Sequence, residues 1–237
     1  MLPALLRLLV VASLADRFSL GAAADDRGAA RQQYPLAAAE ARPSAGFSQH
    51  LLGSWLEQNY GHALGVLIGV GAGARALEIL DAWPHGVLFL VDPYIHLRRG
   101  YDRQQNVEDE AHQRNYEDLR QVLHGHAGVQ GRYSFLREFS FAVPPLWREK
   151  QFGPDPSFVY LDANPSFGAV WTDLVAWWPL LAPGGVIGGS NYTSQGDGSE
   201  VGVRQAVDRF AAEGGLPVFV TDDAEEPTWI IQKPALA

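Results

Sequence analysis

Two features of the chain have residue types and spacing that could act on a small ligand. In GVLIGVGAGARALEIL, residues 65–80, Gly69, Gly71 and Gly73 alternate after an apolar run and open a helix-like tail. Glycines there let the backbone lie against a ligand, and a helix amino terminus offers unpaired N–H groups and a positive dipole end. The second feature is an acid at the end of an apolar run: Asp92 closes GVLFLVD and Asp162 closes SFVYLD. A carboxylate at the end of the strand after a glycine loop can accept the hydroxyls of a ribose. Gly-x-Gly followed by Ala74 also satisfies the dinucleotide fingerprint, so NAD and other adenosyl ligands both stay open at this point. Without a ligand, the loop reads as a tight strand-to-helix turn, and the acids as turn or cap residues.

The elements that would position these residues follow from apolar periodicity. FSQHLLGSWLEQNYG places Phe47, Leu51, Leu52 and Trp55 at helical spacing and stops at Gly61. A buried strand over 65–70 and a helix over 74–82 come next, then a strand ending at Asp92 with Pro93 behind it. Residues 103–124 are polar but helical, with Tyr116, Leu119, Val122 and Leu123 on one face. VQGRYSFLREFS holds a third short strand and SFVYLDANP a fourth. Val170, Leu174, Trp177 and Leu181 mark another helix, Pro183-Gly184-Gly185 a turn into a fifth strand, and residues 201–213 a further helix. PVFVT and TWIIQK are closing strands with no helix between them, so one of them runs antiparallel. The alternation predicts an α/β domain: a Rossmann-like, doubly wound, mostly parallel seven-stranded sheet whose last strand pair is antiparallel.

At 237 residues the chain fits one large domain. Eighteen Lys and Arg stand against 27 Asp and Glu, a net charge of −9. That balance argues against a nucleic-acid partner. Cysteine is absent, which removes disulfides, thiolate metal sites and a cysteine nucleophile. Residues 1–24 combine Arg7, the apolar stretch Leu8 to Ala15 and small residues at 22–24, and read as a signal peptide cut after Ala15 or Ala24. This implies the secretory pathway or the extracellular space; the early arginines suit a plastid or mitochondrial transit peptide as the alternative. The run is too short to span a bilayer, so the mature chain is expected to carry no integral membrane segment. Residues 25–45 read as a linker and 46–237 as the folded domain.

FVYLDANPSFGAVWTDLVAWWPLLAPGGVIGGSNY resembles the class I S-adenosylmethionine-dependent methyltransferases. The match is to a small-molecule group carrying a Tyr-Ile-Asp-Ala strand, Trp-Trp-Pro, Leu-x-Pro-Gly-Gly and a closing Asp-Tyr. LVDPYIH with the Asn106 and Tyr116 segment, GVRQAVDRFAAEGGLPVFVT and WIIQK extend the likeness over about residues 46–233. The resemblance implies S-adenosyl-L-methionine as cofactor and a small-molecule acceptor methylated at oxygen or nitrogen. It implies that Gly69, Gly71 and Gly73 cradle the methionine part, that Asp92 binds the ribose, and that Arg137 to Ser140, Ser140 included, borders the adenine. Asp162 would lie beside the methyl group as base or orienting group, and Asn191 would orient the acceptor.

Three positions depart from that group. Leu67 replaces an acid two residues before the first glycine, Pro165 replaces the histidine of Asp-Ala-x-His, and Ser190-Asn191 replace the acid or histidine before Tyr192. All three fall on the ligand-facing edge, so a weakened or inactive cofactor-binding protein of the same fold is the alternative function. With the second acid gone, no metal site is expected, because magnesium needs several oxygen ligands. His124 and His126 lack a third ligand nearby. Trp177 and Trp178 read as core and rim, and Asp222, Asp223, Glu225 and Glu226 as a solvated loop. Asn191-Tyr192-Thr193 fits a glycosylation sequon, but a glycan there would obstruct the crevice.

Overall fold

The sheet begins with β1 (Leu64–Ile68), whose five residues are all buried, so it needs cover on both faces. The protein is described from a computed structural model, which covers residue 43 and residues 47–101, 103–193, 202–223 and 227–235. The stretch read as a leader and most of the linker lie outside the described residues.

A 3₁₀ turn at Gln49–Leu51 leads into α1 (Leu52–Tyr60), which Gly61 ends at φ +50°. After β1 come α2 (Ala74–Ala82), β2 (Val87–Val91), α3 (Asp109–Gly125), β3 (Tyr133–Leu136) and α4 (Val143–Glu149). The second half contains β4 (Phe158–Leu161), α5 (Phe167–Trp177), β5 (Val186–Gly189), α6 (Val203–Gly214), β6 (Phe219–Val220) and β7 (Trp229–Gln232). The seven strands lie in the order β3-β2-β1-β4-β5-β7-β6. All pairings are parallel except those of β7, which runs antiparallel to both β5 and β6. The doubly wound sheet and its reversed last strand are those expected from the alternation of elements.

Two apolar layers cover the sheet. One face packs Leu67, Leu88, Leu90 and Tyr160 against α1, α2 and α3 through Leu56, Ile79, Trp83 and Leu119. The other packs Val66, Phe89, Val159 and Ile187 against α4, α5 and α6 through Trp147, Leu174, Trp177 and Val207. At the sheet's foot, the Arg132 guanidinium donates to the carbonyls of Leu80, Trp83, Gly86 and Gly128 at 2.8–3.1 Å. It thereby closes the end of α2 onto the start of β2. Among the described residues no helix is long and apolar enough to cross a membrane.

Two elements differ from the sequence reading. The periodicity did not reveal α4, because Pro144 and Pro145 look like breakers; they occupy its first turn, where their missing N–H groups cost no helical bond. The polar helix expected from residue 103 starts only at Asp109. Asn106 accounts for the difference: its side chain accepts from Leu97 N and donates to the carbonyls of Leu97 and Tyr101, all at 2.8 Å, folding the segment as a loop.

The glycine loop is fixed by contacts on both sides. A Cβ on Gly69 (φ +81°) would stand 2.3 Å from the Asp162 carbonyl oxygen, whereas one on Gly71 (φ +52°) would meet nothing within 4 Å. Gly69→Ala is therefore expected to cost on the order of 3–5 kcal/mol, combining left-handed strain with a backbone collision. Gly71→Ala should cost only about 1–2 kcal/mol from strain alone. Urea denaturation of the two variants checks this; equal losses would refute it.

Candidate active site

The site forms where strand order reverses. β1 has β2 on one side and β4 on the other, so the loop that leaves it lies between the ends of both neighbours. The ladder runs one residue past each strand: Gly69 N donates to Val91 O at 3.0 Å and Asp162 N to Ile68 O at 2.7 Å. Asp92 and Asp162 are thereby brought to opposite sides of one glycine loop. Crevices of this kind, at the carboxyl ends of strands, are where open α/β sheets bind ligands.

Asp92 does more here than the sequence suggests. Its Oδ2 accepts from Val70 N at 2.9 Å and Gly71 N at 3.0 Å, and its Oδ1 accepts from Tyr94 N at 2.7 Å. The carboxylate thus fixes the glycine loop and its own following turn together. A carboxylate has about four lone-pair sites, so these bonds leave room on Oδ1 for one ribose hydroxyl rather than two. Tyr94, itself at φ +51°, donates its phenol proton to Gly71 O at 3.2 Å. Burial first, then the Asp92 and Tyr116 charges, push the Tyr94 phenol far above its ordinary range, and it stays a donor.

On the other side, Ser190 Oγ lies 2.5 Å from Asp162 Oδ1 and 3.1 Å from Asn191 Oδ1. The hydroxyl's single proton is shared between the two, with the carboxylate the nearer acceptor. Asp162 Oδ2 is left facing Arg75, whose Nε is 4.0 Å away. Asn191 is held at φ +58°, in the left-handed region, which turns the chain directly after β5. Asp162, Ser190 and Asn191 therefore form one cluster, as their places in the sequence suggest.

Leu67 is fully buried, in the layer that also holds Leu90 and Tyr160. An acid there would need a polar partner inside the core; the Arg75 guanidinium lies 5.8 Å from the ring of Tyr160, a member of the same layer. Pro165 lines a small cavity with Asn164, Asp173, Ser190, Asn191 and Trp229. Ser140, which the resemblance implies borders the adenine, donates its hydroxyl to Asp173 Oδ1 at 2.5 Å. The neighbouring Arg137 guanidinium sits 4.6 Å over the Tyr116 ring and bonds Gln113. His126 pairs with Asp81, and among the described residues no group of three or more metal-ligating side chains converges.

Asp173 escaped the sequence reading. Only 6% exposed, it lies on the stripe of α5 that also carries Val170, Leu174 and Trp177. An acid among apolar residues at that spacing is the signal that could have found it. Burial raises its pKa from the usual 3.8 to about 6, opposed by the Ser140 hydrogen bond.

The protein-family description matching this chain is "Methyltransferase domain", over residues 66–192. The comparison with curated proteins finds no match. Among solved structures, an O-methyltransferase from Bacillus cereus in complex with S-adenosylhomocysteine aligns with a TM-score of 0.53 and 14% identity, over 98% of this chain and 93% of that one. A protein from Corynebacterium glutamicum aligns with a TM-score of 0.52 and 18% identity, over 97% and 91%. An O-methyltransferase family protein from Burkholderia thailandensis aligns with a TM-score of 0.51 and 12% identity, over 74% of this chain and 52% of that one. This chain therefore spans about half the length of the Burkholderia protein. At these identities the likeness is one of fold.

The raised Asp173 pKa has a consequence for stability. Between about pH 4 and pH 6 the folded protein holds a proton that the unfolded chain has released. The stabilisation is therefore complete below pH 3.8 and is lost as pH rises through about 6. The effect is worth about 3 kcal/mol at most. Asp173→Asn, which keeps an oxygen for Ser140, should gain about 1–3 kcal/mol relative to the wild type between pH 4.5 and 7.5. Urea melts across that range test it; parallel profiles would show that Asp173 is not the titrating group.

Proposed function

We propose that this chain, which belongs to the methyltransferase-domain family, is a class I enzyme that binds S-adenosyl-L-methionine in the crevice between Asp92 and Asp162 and methylates a small molecule at oxygen or nitrogen. The observation that carries the reading is the cradle itself. Gly71 has a left-handed backbone and open space where a side chain would stand, while Asp92 fixes the loop and keeps room on Oδ1 for a ribose hydroxyl. These residues fit a nucleoside cofactor.

When bound, the cofactor supplies a methyl group already activated on a sulfonium. The protein's share is alignment and exclusion of water. Gly69, Gly71 and Gly73 would let the backbone approach the methionine part. Ser190 holds Asp162 through Oδ1, so Oδ2 is the atom placed to take a proton from an acceptor hydroxyl or ammonium. Asn191, bonded to the same Ser190, would orient the acceptor through its amide.

Binding without catalysis is the second reading, and Pro165 supports it: a ring that cannot transfer protons stands where the resembling group has histidine. The net charge of −9 favours a small acceptor over nucleic acid. Residues 1–24 remain a proposed leader, with secretion or an organelle as destination. A chain starting near Asp25 should melt like the full chain.

Calorimetric titration with S-adenosylmethionine, S-adenosylhomocysteine and NAD tests the reading. The two adenosyl-sulfur ligands should bind and NAD should not. Asp92→Asn should weaken binding roughly tenfold or more, the loss of one charge-assisted bond of about 1.5–3 kcal/mol. Gly71→Leu should stay folded and lose binding. Absence of binding to either adenosyl ligand at millimolar concentration would end the proposal.

Metal independence is a separate expectation. One carboxylate beside an amide and a hydroxyl makes a weak magnesium site. Once an acceptor is found, activity should survive a chelator; activity that vanishes and returns with magnesium would refute this.

A further inference from the structure

Residues 93–101 and 103–108, between β2 and α3, form a strap that reaches from the end of β2 to the turn after β4. Asn164, two residues beyond Asp162, donates its amide to Gly100 O at 2.8 Å, while its Oδ1 accepts from Ser166 N at 3.0 Å. Gly100 adopts φ +77°, a reversal that glycine makes without strain. Asn106 closes the strap on itself by its bonds to Leu97 and to Tyr101 O. His96 N is tied to Asp109 at 2.6 Å, so both limbs of the strap are anchored. Tyr101 therefore stands one residue from the clasp and is half-buried.

The electrostatics of Tyr101 agree with that placement. Its phenol is raised above its ordinary value by burial first, then by the charges of Asp162 and Asp92, and is lowered by Arg103. It thus senses the acids from both walls of the crevice. Arg103, on the same strap, has a buried Nε with no hydrogen-bond partner among the described residues. A buried donor of that kind marks a place where a ligand oxygen would be stabilising.

We propose that Tyr101 is a ligand-contacting residue whose ring covers a bound sulfonium nucleoside in the crevice between Asp92 and Asp162, and that Asn164 is the positioning residue that holds the strap over it. This rests on the crevice being the cofactor site. A sulfonium is a cation, and a cation against an aromatic face flanked by two carboxylates is favoured over its neutral counterpart. The crevice should therefore prefer S-adenosylmethionine to S-adenosylhomocysteine, and the ring should contribute to that preference. Neither the glycine loop nor the family likeness assigns the strap such a role.

The test uses the full chain and two measurements. In calorimetry, Tyr101→Ala should weaken S-adenosylmethionine binding at least tenfold and S-adenosylhomocysteine binding by clearly less, while Tyr101→Phe, which keeps the ring, should stay within about threefold of the wild type for both. Asn164→Asp keeps the oxygen that Ser166 N needs but cannot donate to Gly100 O, and should weaken both ligands several-fold. The second measurement is tryptic cleavage after Arg98 and Arg99, in the strap. It should be at least fivefold faster in ligand-free Asn164→Asp than in the wild type, and S-adenosylhomocysteine should slow it in the wild type. Melting temperatures of the variants near that of the wild type separate these effects from misfolding. Wild-type binding with an indifferent Tyr101→Ala would overturn the role of Tyr101 alone, and unchanged cleavage in Asn164→Asp would overturn the clasp. A wild type that binds neither nucleoside would overturn the cofactor reading and the role of Tyr101 with it, while the cleavage comparison would still decide whether Asn164 holds the strap.

Discussion

The crevice depends on one ion, the Asp92 carboxylate. Three backbone N–H groups from two stretches of chain converge on its two oxygens. Bonds from N–H to a charged acceptor are the strong kind, and leaving those donors buried and unpaired would cost more than the bonds contribute net. The glycine loop and the Pro93–Tyr94 turn are therefore shaped together. The Tyr94 phenol, bonded to Gly71 O from the far side, locks the same loop again. A ligand entering the crevice meets a surface already set, which lowers the ordering cost of binding.

Much of the fold was legible because its causes are local. Strands buried on both faces read as unbroken apolar runs, as in Leu64–Ile68 and Phe158–Leu161. Helices read from their stripes, as α2 did at its full length. Between β3 and β4 the periodicity announced no helix, yet α4 stands there, its first turn tolerating two prolines. The overlong reading of α3 came from counting its polar residues as a solvated helix face. Asn106 competes there for the backbone through contacts within nine residues; nothing in the spacing announces that choice.

The site was legible only in outline. Strand ends placed Asp92 and Asp162 correctly, because a parallel strand delivers its last residue to one edge of the sheet. What each carboxylate bonds was not legible. The partners of Asp92 come from the preceding loop and its own turn, and that of Asp162 from the end of β5, pairings that topology creates and sequence distance hides. Ser140 illustrates the converse: a place beside the strand-three end did not foretell that its hydroxyl would turn to Asp173 on α5. The departures at Leu67 and Pro165 acquire physical content too. One completes an apolar layer of the core, and the other lines a cavity beside the cluster of Asp162, Ser190 and Asn191.

The foot and the rim of the sheet are held by ions of opposite kind. At the foot, every N–H of the Arg132 guanidinium is directed to a carbonyl, and a guanidinium keeps its charge at any pH a protein survives. At the rim, the fastening ion is the Asp92 carboxylate, which gathers N–H groups where Arg132 gathers carbonyls. The foot is thus held by a donor and the rim by an acceptor, each matched to the backbone groups left over at its own end of the sheet.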